Sequence, residues 1–365
     1  MCDSTQHTGQ KPLDVIRVSG GPRDRGYQYG VACKKEIQQA IEAHLSFYRR
    51  YCNLAKASLL RLAGKYMPPI KNYSPEIAEE IAGISEGAER SRDEILLLAA
   101  YWEILYKYSL GLGCTAIGVS GCITANGEAF VAQNNDEALE PWGEAFSRLV
   151  HVTPDHGPDF VSYTYPGFPG QMGVNSKGIA LCVNALVTDE HRIGVPFQII
   201  TREVLQQESI GDAIGAVTRA KRASSGNFLV ADENGEIYDV ETTPNHYECF
   251  YSNKCMVHTN HFLSTKLGVR RDVLLENLID TIIRYNRMSR ILQETSEDIG
   301  VEKLMEAFKD HVNYPNSICR HINTRQAAKD QLKTADCMIY SPTRRTMWLA
   351  RGNPCQTEFQ TFCLR

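Results

Sequence analysis

The sequence has no long hydrophobic run. Its most apolar stretch, from Ile95 to Tyr106, is too short to span a bilayer and carries Glu103 in its middle. It also lacks an excess of either charge: a net charge of -4 gives no electrostatic footprint for nucleic acid or for an anionic membrane. The first residues, Met1-Cys2-Asp3-Ser4-Thr5-Gln6-His7, have no basic region and no apolar core, so no signal peptide is expected. Neither a repeat period of 20–50 residues nor a low-complexity tract is present, which excludes solenoids, propellers and disordered linkers. Missing too are a G-x-G-x-x-G turn and a P-loop, so nothing points to a nucleotide site. The C-terminal Phe362-Cys363-Leu364-Arg365 is not a peroxisomal tripeptide.

Cysteine is not scarce, but it is scattered. Twelve cysteines run from Cys2 to Cys363 without compact spacing, and we read them as reduced thiols of a cytoplasmic protein. One group, Cys249, Cys255, His258 and His261, mixes metal-ligand types, but its spacing does not match a zinc finger and a strand pattern runs through it. No metal and no other cofactor is expected.

Read in order, the first 110 residues are mostly helical. Apolar residues recur at helical spacing from Val31 to about Leu62. Ser74-Pro75-Glu76 and Ser91-Arg92-Asp93-Glu94 are helix starts, the second opening a helix over Ile95–Tyr108. After Cys114 short strand patterns dominate to about residue 188. A helical stretch opens at Val195-Pro196, strands return between Asn227 and Thr259, helix again over 267–309, and strands close the chain. This order predicts an α+β domain with helices outside packed sheets, and no linker divides residues 1–365 into independent domains.

The chain turns on Gly111-Leu112-Gly113-Cys114-Thr115. A strand run, Ala116 to Ser120, follows it; a second, Ala129 to Ala132, ends in the polar cluster Gln133-Asn134-Asn135-Asp136. Asn126-Gly127 between them predicts a hairpin that returns Asp136 to Cys114. Gly113 leaves its carbonyl open to close approach. Attack by the Cys114 sulfur would give a thioester by N-to-S acyl shift, and hydrolysis would free a new N-terminus whose amine can act as base for the thiol. The residues alone equally admit a buried strand cysteine after a Gly-rich turn.

Gly113-Cys114-Thr115 with the downstream acid, the run Met256-Val257-His258-Thr259-Asn260-His261-Phe262-Leu263, and Asn313-Tyr314-Pro315-Asn316-Ser317-Ile318-Cys319-Arg320 together resemble the acyl-coenzyme A:6-aminopenicillanic acid acyltransferase family of N-terminal-nucleophile hydrolases. The likeness spans essentially the whole chain. It implies a four-layer αββα sandwich, self-cleavage between Gly113 and Cys114 into segments 1–113 and 114–365 that stay associated, and three catalytic residues. Cys114 would be the nucleophile, Asp136 the acid that positions the new amine, and Asn260 the oxyanion donor. Thr115, Thr243, Ser317 and Arg320 would line or support the pocket, with Arg320 either meeting a substrate carboxylate or closing a buried ion pair. Asp136 also reads as a hairpin cap and Asn260 as a turn residue.

Two departures stand out. Thr243 replaces a family serine, and Asn135 and Glu137 flank Asp136 where the penicillin enzyme has aromatic residues, giving a more polar rim. We therefore expect hydrolysis of a small N-acyl amide, with acyl transfer from an acyl thioester such as acyl-CoA as the alternative. From other classes, an uncleaved binding homologue and a zinc module on Cys249, Cys255, His258 and His261 remain. Cys122, also preceded by glycine, lacks the following threonine.

Overall fold

The computed structural model describes residues 14–106, 113–139, 147–267, 272–273, 275, 279–294 and 298–364. Residues 107–112, and with them Gly111, Leu112 and the expected helix end at Tyr108, lie outside the described ones.

One strand, β1 (Val15–Gly20), precedes seven helices: α1 (Pro22–Ala32), α2 (Lys34–Cys52), α3 (Lys56–Gly64), α4 (Met67–Tyr73), α5 (Pro75–Gly87), α6 (Arg92–Ala99) and α7 (Tyr101–Tyr106). Both helix starts read from the sequence are present. Ser91 and Glu94 close a full capping box, whereas Ser74 stands at the N-cap without a side-chain bond. The long helical pattern after Val31 is broken at Asn53, which adopts a left-handed φ of 51° and ends α2. α1 and α5 cross at backbone contact. A Cβ on Gly26 would sit 2.1 Å from the Glu80 carbonyl oxygen, and one on Gly87 2.2 Å from that of Tyr27, so only glycine permits the crossing.

The remaining described strands are β2 (Gly113–Val119), β3 (Phe130–Ala138), β4 (Arg148–Pro154), β5 (Phe160–Thr164), β6 (Met172–Asn175), β7 (Ile179–Asn184), β8 (Gly226–Asp232), β9 (Ile237–Thr242), β10 (Tyr247–Tyr251), β11 (Cys255–His258), β12 (Leu332–Ser341), β13 (Thr346–Arg351) and β14 (Gln360–Cys363). They form two sheets, ordered β1-β4-β5-β6-β7-β8-β9-β10 and β11-β2-β3-β12-β13-β14. Alternation along β2 shows how the sheets are layered. Ala116 joins the core between the sheets, and a Cβ on Gly118 would touch Leu229 and Ile237 of the facing sheet. Ile117 and Val119 point outward, onto Met288 and Leu292 of α10 (Asp280–Glu294) and Leu304 of α11 (Val301–Ala307). The outer face of the larger sheet is covered by α8 (Phe197–Val204) and α9 (Ile210–Arg219), and Tyr73 joins the N-terminal helices to that layer through the Ala216 carbonyl. The result is the expected helix–sheet–sheet–helix arrangement.

Three local expectations need correction. The link between β2 and β3 is not a tight Asn-Gly hairpin: residues 120–129 intervene, with a 3-10 turn at Gly121–Ile123 and Gly127 at φ 70°. Nor does β3 stop before Gln133. It runs through the polar cluster, because β2 and β12 satisfy its backbone on both sides and each polar side chain finds a buried partner. Finally, among the described residues ten cysteines are free, but Cys363 is disulfide-bonded.

The segment before Gly113 is built into the rest. β1 pairs in parallel with β4 (Val15 opposite Leu149), Tyr29 donates to the Tyr165 carbonyl at 3.0 Å, and Glu103 accepts from the Phe197 amide at 2.7 Å.

Candidate active site

β2 and β3 set the geometry. Their antiparallel register places Gly113 opposite Asp136, Cys114 opposite Asn135 and Thr115 opposite Asn134. Since neighbours on a strand face opposite ways, Cys114 shares the inner side with Asn135, Gln133 and Glu137, while Thr115, Asn134 and Asp136 look toward the outer helices. Asp136 is nevertheless beside the Gly113–Cys114 junction: a Cβ on Gly113 would lie 3.0 Å from its Oδ2.

Asn260, just past β11, reaches the cysteine with both ends of its amide. Its Oδ1 accepts the Cys114 backbone N–H at 2.8 Å, and its Nδ2 faces the Cys114 Sγ at 3.7 Å while donating to the Ala185 carbonyl at 3.2 Å. Its own backbone N–H is tied to Thr281 Oγ1 at 2.7 Å, which fixes the bend that aims it.

Two buried arginines brace this group. Arg284 of α10 donates to the Cys114 carbonyl, to Thr115 Oγ1 at 3.0 Å and to Asn260 Oδ1 at 2.9 Å. Arg320 donates from Nε to Asp136 Oδ2 at 3.2 Å, and Asp280 bridges both guanidinium groups. Thr334 Oγ1 completes Asp136 by donating to its Oδ1 at 2.7 Å. Arg320 thus closes a buried ion pair rather than facing open space, the second of its two sequence readings. Burial holds the Asp136 carboxyl above its ordinary range despite Arg320 and Arg284.

In the intact chain the thiol is held protonated. Burial pushes Cys114 up to about 12, with Asp136 adding to the shift and the Ala185 backbone and Asn260 working against it. Among the described residues no imidazole is placed to deprotonate it. His258 has Nδ1 on the Thr259 carbonyl and Nε2 on Glu241 Oε1, each at 2.8 Å. Burial opposes its charging, but Asp239 and Glu241 carry the net shift upward, so it is an ion-pair partner of Glu241. His261 is held by the hydroxyls of Thr259 and Thr281, and burial lowers it to about 4.

In front of Cys114 lies a narrow cavity of about 30 Å³, room for roughly one water. Tyr101, Trp102 and Phe197 give it an aromatic side; Asn135, Glu137 and Gln171 a polar one. Glu137 accepts from Tyr165 Oη at 3.2 Å, but its Oε2 has no partner, and burial pushes it up to about 8.

Gly113, Cys114, Thr115, Asp136, Asn260 and Arg320 are therefore brought together; two of the expected residues are not. Thr243 sits in the turn after β9, its hydroxyl accepting from the Asn245 and His246 amides, and Ser317 donates to the Cys319 carbonyl at 2.6 Å within its own loop. Both are turn braces, the ordinary use of a hydroxyl in such positions. Cys122 is exposed on the 3-10 turn, away from these acids. Cys249, Cys255, His258 and His261 do not converge; among the described residues the convergent His/Cys group lies around Cys319 instead. Sequence reasoning missed Arg284 and Asp280, whose i, i+4 spacing was the available signal.

The profile of the family described as acyl-coenzyme A:6-aminopenicillanic acid acyl-transferase matches residues 122–356, a stretch that contains Asp136, Asn260 and Arg320 and begins after Cys114. The chain is 29% identical to the acyl-coenzyme A:6-aminopenicillanic-acid-acyltransferase 40 kDa form of Emericella nidulans, over 95% of this chain and 96% of that one. It is 25% identical to an uncharacterized protein of Archaeoglobus fulgidus, over 60% of this chain and 41% of that one. Solved structures similar to it include penicillin V acylase from Agrobacterium tumefaciens (TM-score 0.45, 13% identity, 65% of this chain and 83% of that one). A variant conjugated bile acid hydrolase from Clostridium perfringens is also similar (TM-score 0.46, 14% identity, 69% and 97%). With the profile covering well over half of its length, the chain belongs to the acyl-coenzyme A:6-aminopenicillanic acid acyl-transferase family.

Proposed function

We propose that the chain cleaves itself between Gly113 and Cys114, and that the freed Cys114 hydrolyses a small N-acyl amide through a thioester. The observation that carries this is the two-ended grip of Asn260 on Cys114, on the backbone N–H through Oδ1 and toward Sγ through Nδ2. In processing, Sγ attacks the Gly113 carbonyl carbon, the C–N bond breaks with the proton passing to nitrogen, and water then releases the Gly113 carboxylate. In turnover, the new α-amine takes the thiol proton, Sγ attacks the substrate acyl carbon, and Asn260 Nδ2 donates to the oxyanion. The proton goes on to the leaving amine, and water attacks the thioester. Asp136 orients the amine and Arg320 holds Asp136.

The polar side of the cavity, with the unpartnered Glu137 oxygen, supports a compact polar amide as substrate. A second reading replaces water by an amine and draws the acyl group from an acyl thioester; the family match supports it. The two segments remain associated in this proposal, since β1 is a sheet strand and the core between the sheets continues into α1–α7. Among the described residues no helix is long and apolar enough to cross a membrane. The ten free cysteines support a cytoplasmic setting, with the Cys363 disulfide the exception.

Intact mass of the denatured protein tests the first step. Scaled from 40.9 kDa for 365 residues, fragments of about 13 and about 28 kDa are expected from wild type, and one chain from Cys114→Ala. Scission of the alanine variant at the same bond would assign the cut to an outside protease, and an uncut wild type would leave a binding homologue.

A further inference from the structure

We propose that His311, Cys319, His321 and Cys355 form a structural zinc(II) site. Their ligand atoms all lie within 4.8 Å of one another. The individual separations are Sγ–Sγ 3.5 Å for Cys319–Cys355, Nε2–Nε2 3.1 Å for His311–His321, and Sγ–Nε2 3.7 Å and 3.4 Å from His321 to Cys319 and Cys355. A tetrahedral zinc with Zn–S of about 2.3 Å and Zn–N of about 2.05 Å spaces its ligands about 3.8 Å (S–S), about 3.5 Å (S–N) and about 3.3 Å (N–N) apart. These four edges fall within a few tenths of an ångström of that pattern, and the two from His311 to the thiols lie within 4.8 Å.

The ligand chemistry selects the metal. Two thiolates and two imidazoles suit a borderline-soft tetrahedral ion, and binding would release two thiol protons, leaving a neutral site. A supporting shell is in place: Asn353 Nδ2 donates to Cys319 Sγ at 3.4 Å, and Cys319 also takes a backbone hydrogen bond from Cys355. Such N–H···S contacts steady a thiolate ligand.

The fold supplies a reason for the site. Between the end of α11 at Ala307 and the start of β12 at Leu332 the chain has turns and one short 3-10 helix, Ala328–Asp330. Structureless connections beyond about 12–15 residues are uncommon in compact domains unless something ties them down. The ion would tie this loop to the β13–β14 connection, which carries Cys355. Arg320 lies between two of the ligands, and its carbonyl is held by Asn353 Nδ2 at 2.7 Å while its guanidinium meets Asp136. The metal would therefore fix the loop from which Arg320 reaches Asp136, yet its presence does not depend on the function proposed above.

Elemental analysis of the full chain, purified under reducing conditions with zinc offered and then dialysed, should give about one zinc per chain. Cobalt(II) in its place should show the intense visible bands of a tetrahedral thiolate site. The double variant His311→Ala/Cys355→Ser should hold less than about a tenth of an equivalent. Because that variant could unfold, His311→Ala alone, at an exposed position, is checked by far-UV circular dichroism and should keep its fold while binding at least about tenfold more weakly. Reduced wild type that takes up no zinc would overturn the proposal. So would a full equivalent retained by the double variant, or an intact mass showing a Cys319–Cys355 disulfide in reduced protein. None of these readings uses self-cleavage or turnover, so failure here leaves the catalytic proposal standing and the reverse also holds.

Discussion

Replacing Asn260 by aspartate separates the two ends of the side chain that grips Cys114. Oδ1 keeps its acceptor role toward the Cys114 N–H (2.8 Å) and Arg284 Nη2 (2.9 Å), and the guanidinium sits ready to balance the added charge. What is lost is Nδ2, the side-chain donor that faces Sγ at 3.7 Å, while the Ala185 backbone donor stays. Loss of one oxyanion donor costs about 10²–10³ in kcat, or about 2.7–4 kcal/mol of transition-state stabilisation. Asn260→Ala loses the donor too, but also strands the Cys114 N–H and one Arg284 N–H, adding about 1–3 kcal/mol of destabilisation per buried group left unpaired. Both variants should therefore fall by a similar factor in kcat, whereas urea unfolding should separate them, with alanine the weaker fold. The assay is kcat and KM on protein whose complete processing has been verified by intact mass. A processed Asn260→Asp enzyme with kcat within tenfold of wild type would remove Nδ2 from the oxyanion site. A large loss in aspartate with none in alanine would mean that the introduced charge, not the missing donor, is responsible.

Four further outcomes follow from the same contacts. Gly113→Ala would bring a methyl 3.0 Å from Asp136 Oδ2 and 3.1 Å from its Cβ, so precursor should persist on a gel while folding is retained; wild-type cleavage would show that Asp136 moves aside freely. Arg284→Met should cost about 3–5 kcal/mol in urea unfolding, since it breaks a buried ion pair with Asp280 and leaves the Cys114 carbonyl without that donor; a loss under 1 kcal/mol would contradict the brace. Glu137 is raised from 4.5 to about 8, so its neutral form stabilises the fold below about pH 4.5 and that contribution is lost as pH rises toward 8; Glu137→Gln should flatten the fall in stability over this window, and an unchanged slope would mean the carboxyl is solvated. His258→Gln should lower stability by breaking the pair with Glu241 yet leave the acidic limb of kcat/KM within about half a unit, because in the proposed mechanism the base is the α-amine; disappearance of that limb in processed protein would establish a Cys–His dyad.

The parts of the site legible in the sequence were those set by local pattern. Two strand runs on either side of a turn signal were enough to bring Asp136 to the Gly113–Cys114 junction, even though the turn itself was misread. Asn-Gly marks a tight hairpin only when the strands run up to it, and here Ser120 and Gly121 instead bond to the Lys254 and Gly235 carbonyls and lengthen the connection. Polarity misled at Gln133–Asp136 for a related reason. A run of four polar residues reads as a strand end unless both neighbouring strands and the buried partners Thr334, Arg320 and Tyr165 are known, and those lie far away in the chain. Thr243 and Ser317 came from resemblance alone, and side chains in such motifs are as readily turn braces as pocket walls. Arg284 left only an i, i+4 acid–base pair on an amphipathic helix, which most often marks a solvated face. The His/Cys cluster was invisible because its ligands fall 8, 2 and 34 residues apart, joined only when the loop after α11 folds back onto the end of β13.

Among the described residues the intact chain offers the proposed nucleophile no base, and that imbalance supports reading cleavage as activation. Cys114, raised to about 12 by burial, is a thiol at neutral pH, and of the two histidines nearest in sequence to Asn260, His258 has both ring nitrogens committed elsewhere and His261 its Nδ1. Asp136 cannot substitute, because both of its oxygens are already taken by Thr334 and Arg320. Breaking the Gly113–Cys114 bond changes one atom's character: the backbone N–H that Asn260 Oδ1 now holds becomes an amine with an unperturbed pKa of about 7.7–8.0, next to the sulfur by covalent necessity. The same event removes Gly113 from the side of Asp136, so the carboxylate that packed against the glycine gains room beside the new amine. In the proposed mechanism one bond scission would thus supply the base, uncover the acid that would orient it, and leave Asn260 where it already was. A catalytic site assembled in this order would need no movement of β2, β3 or Arg320, whose strand pairing and ion pairs with Asp136 and Asp280 are in place before the cut.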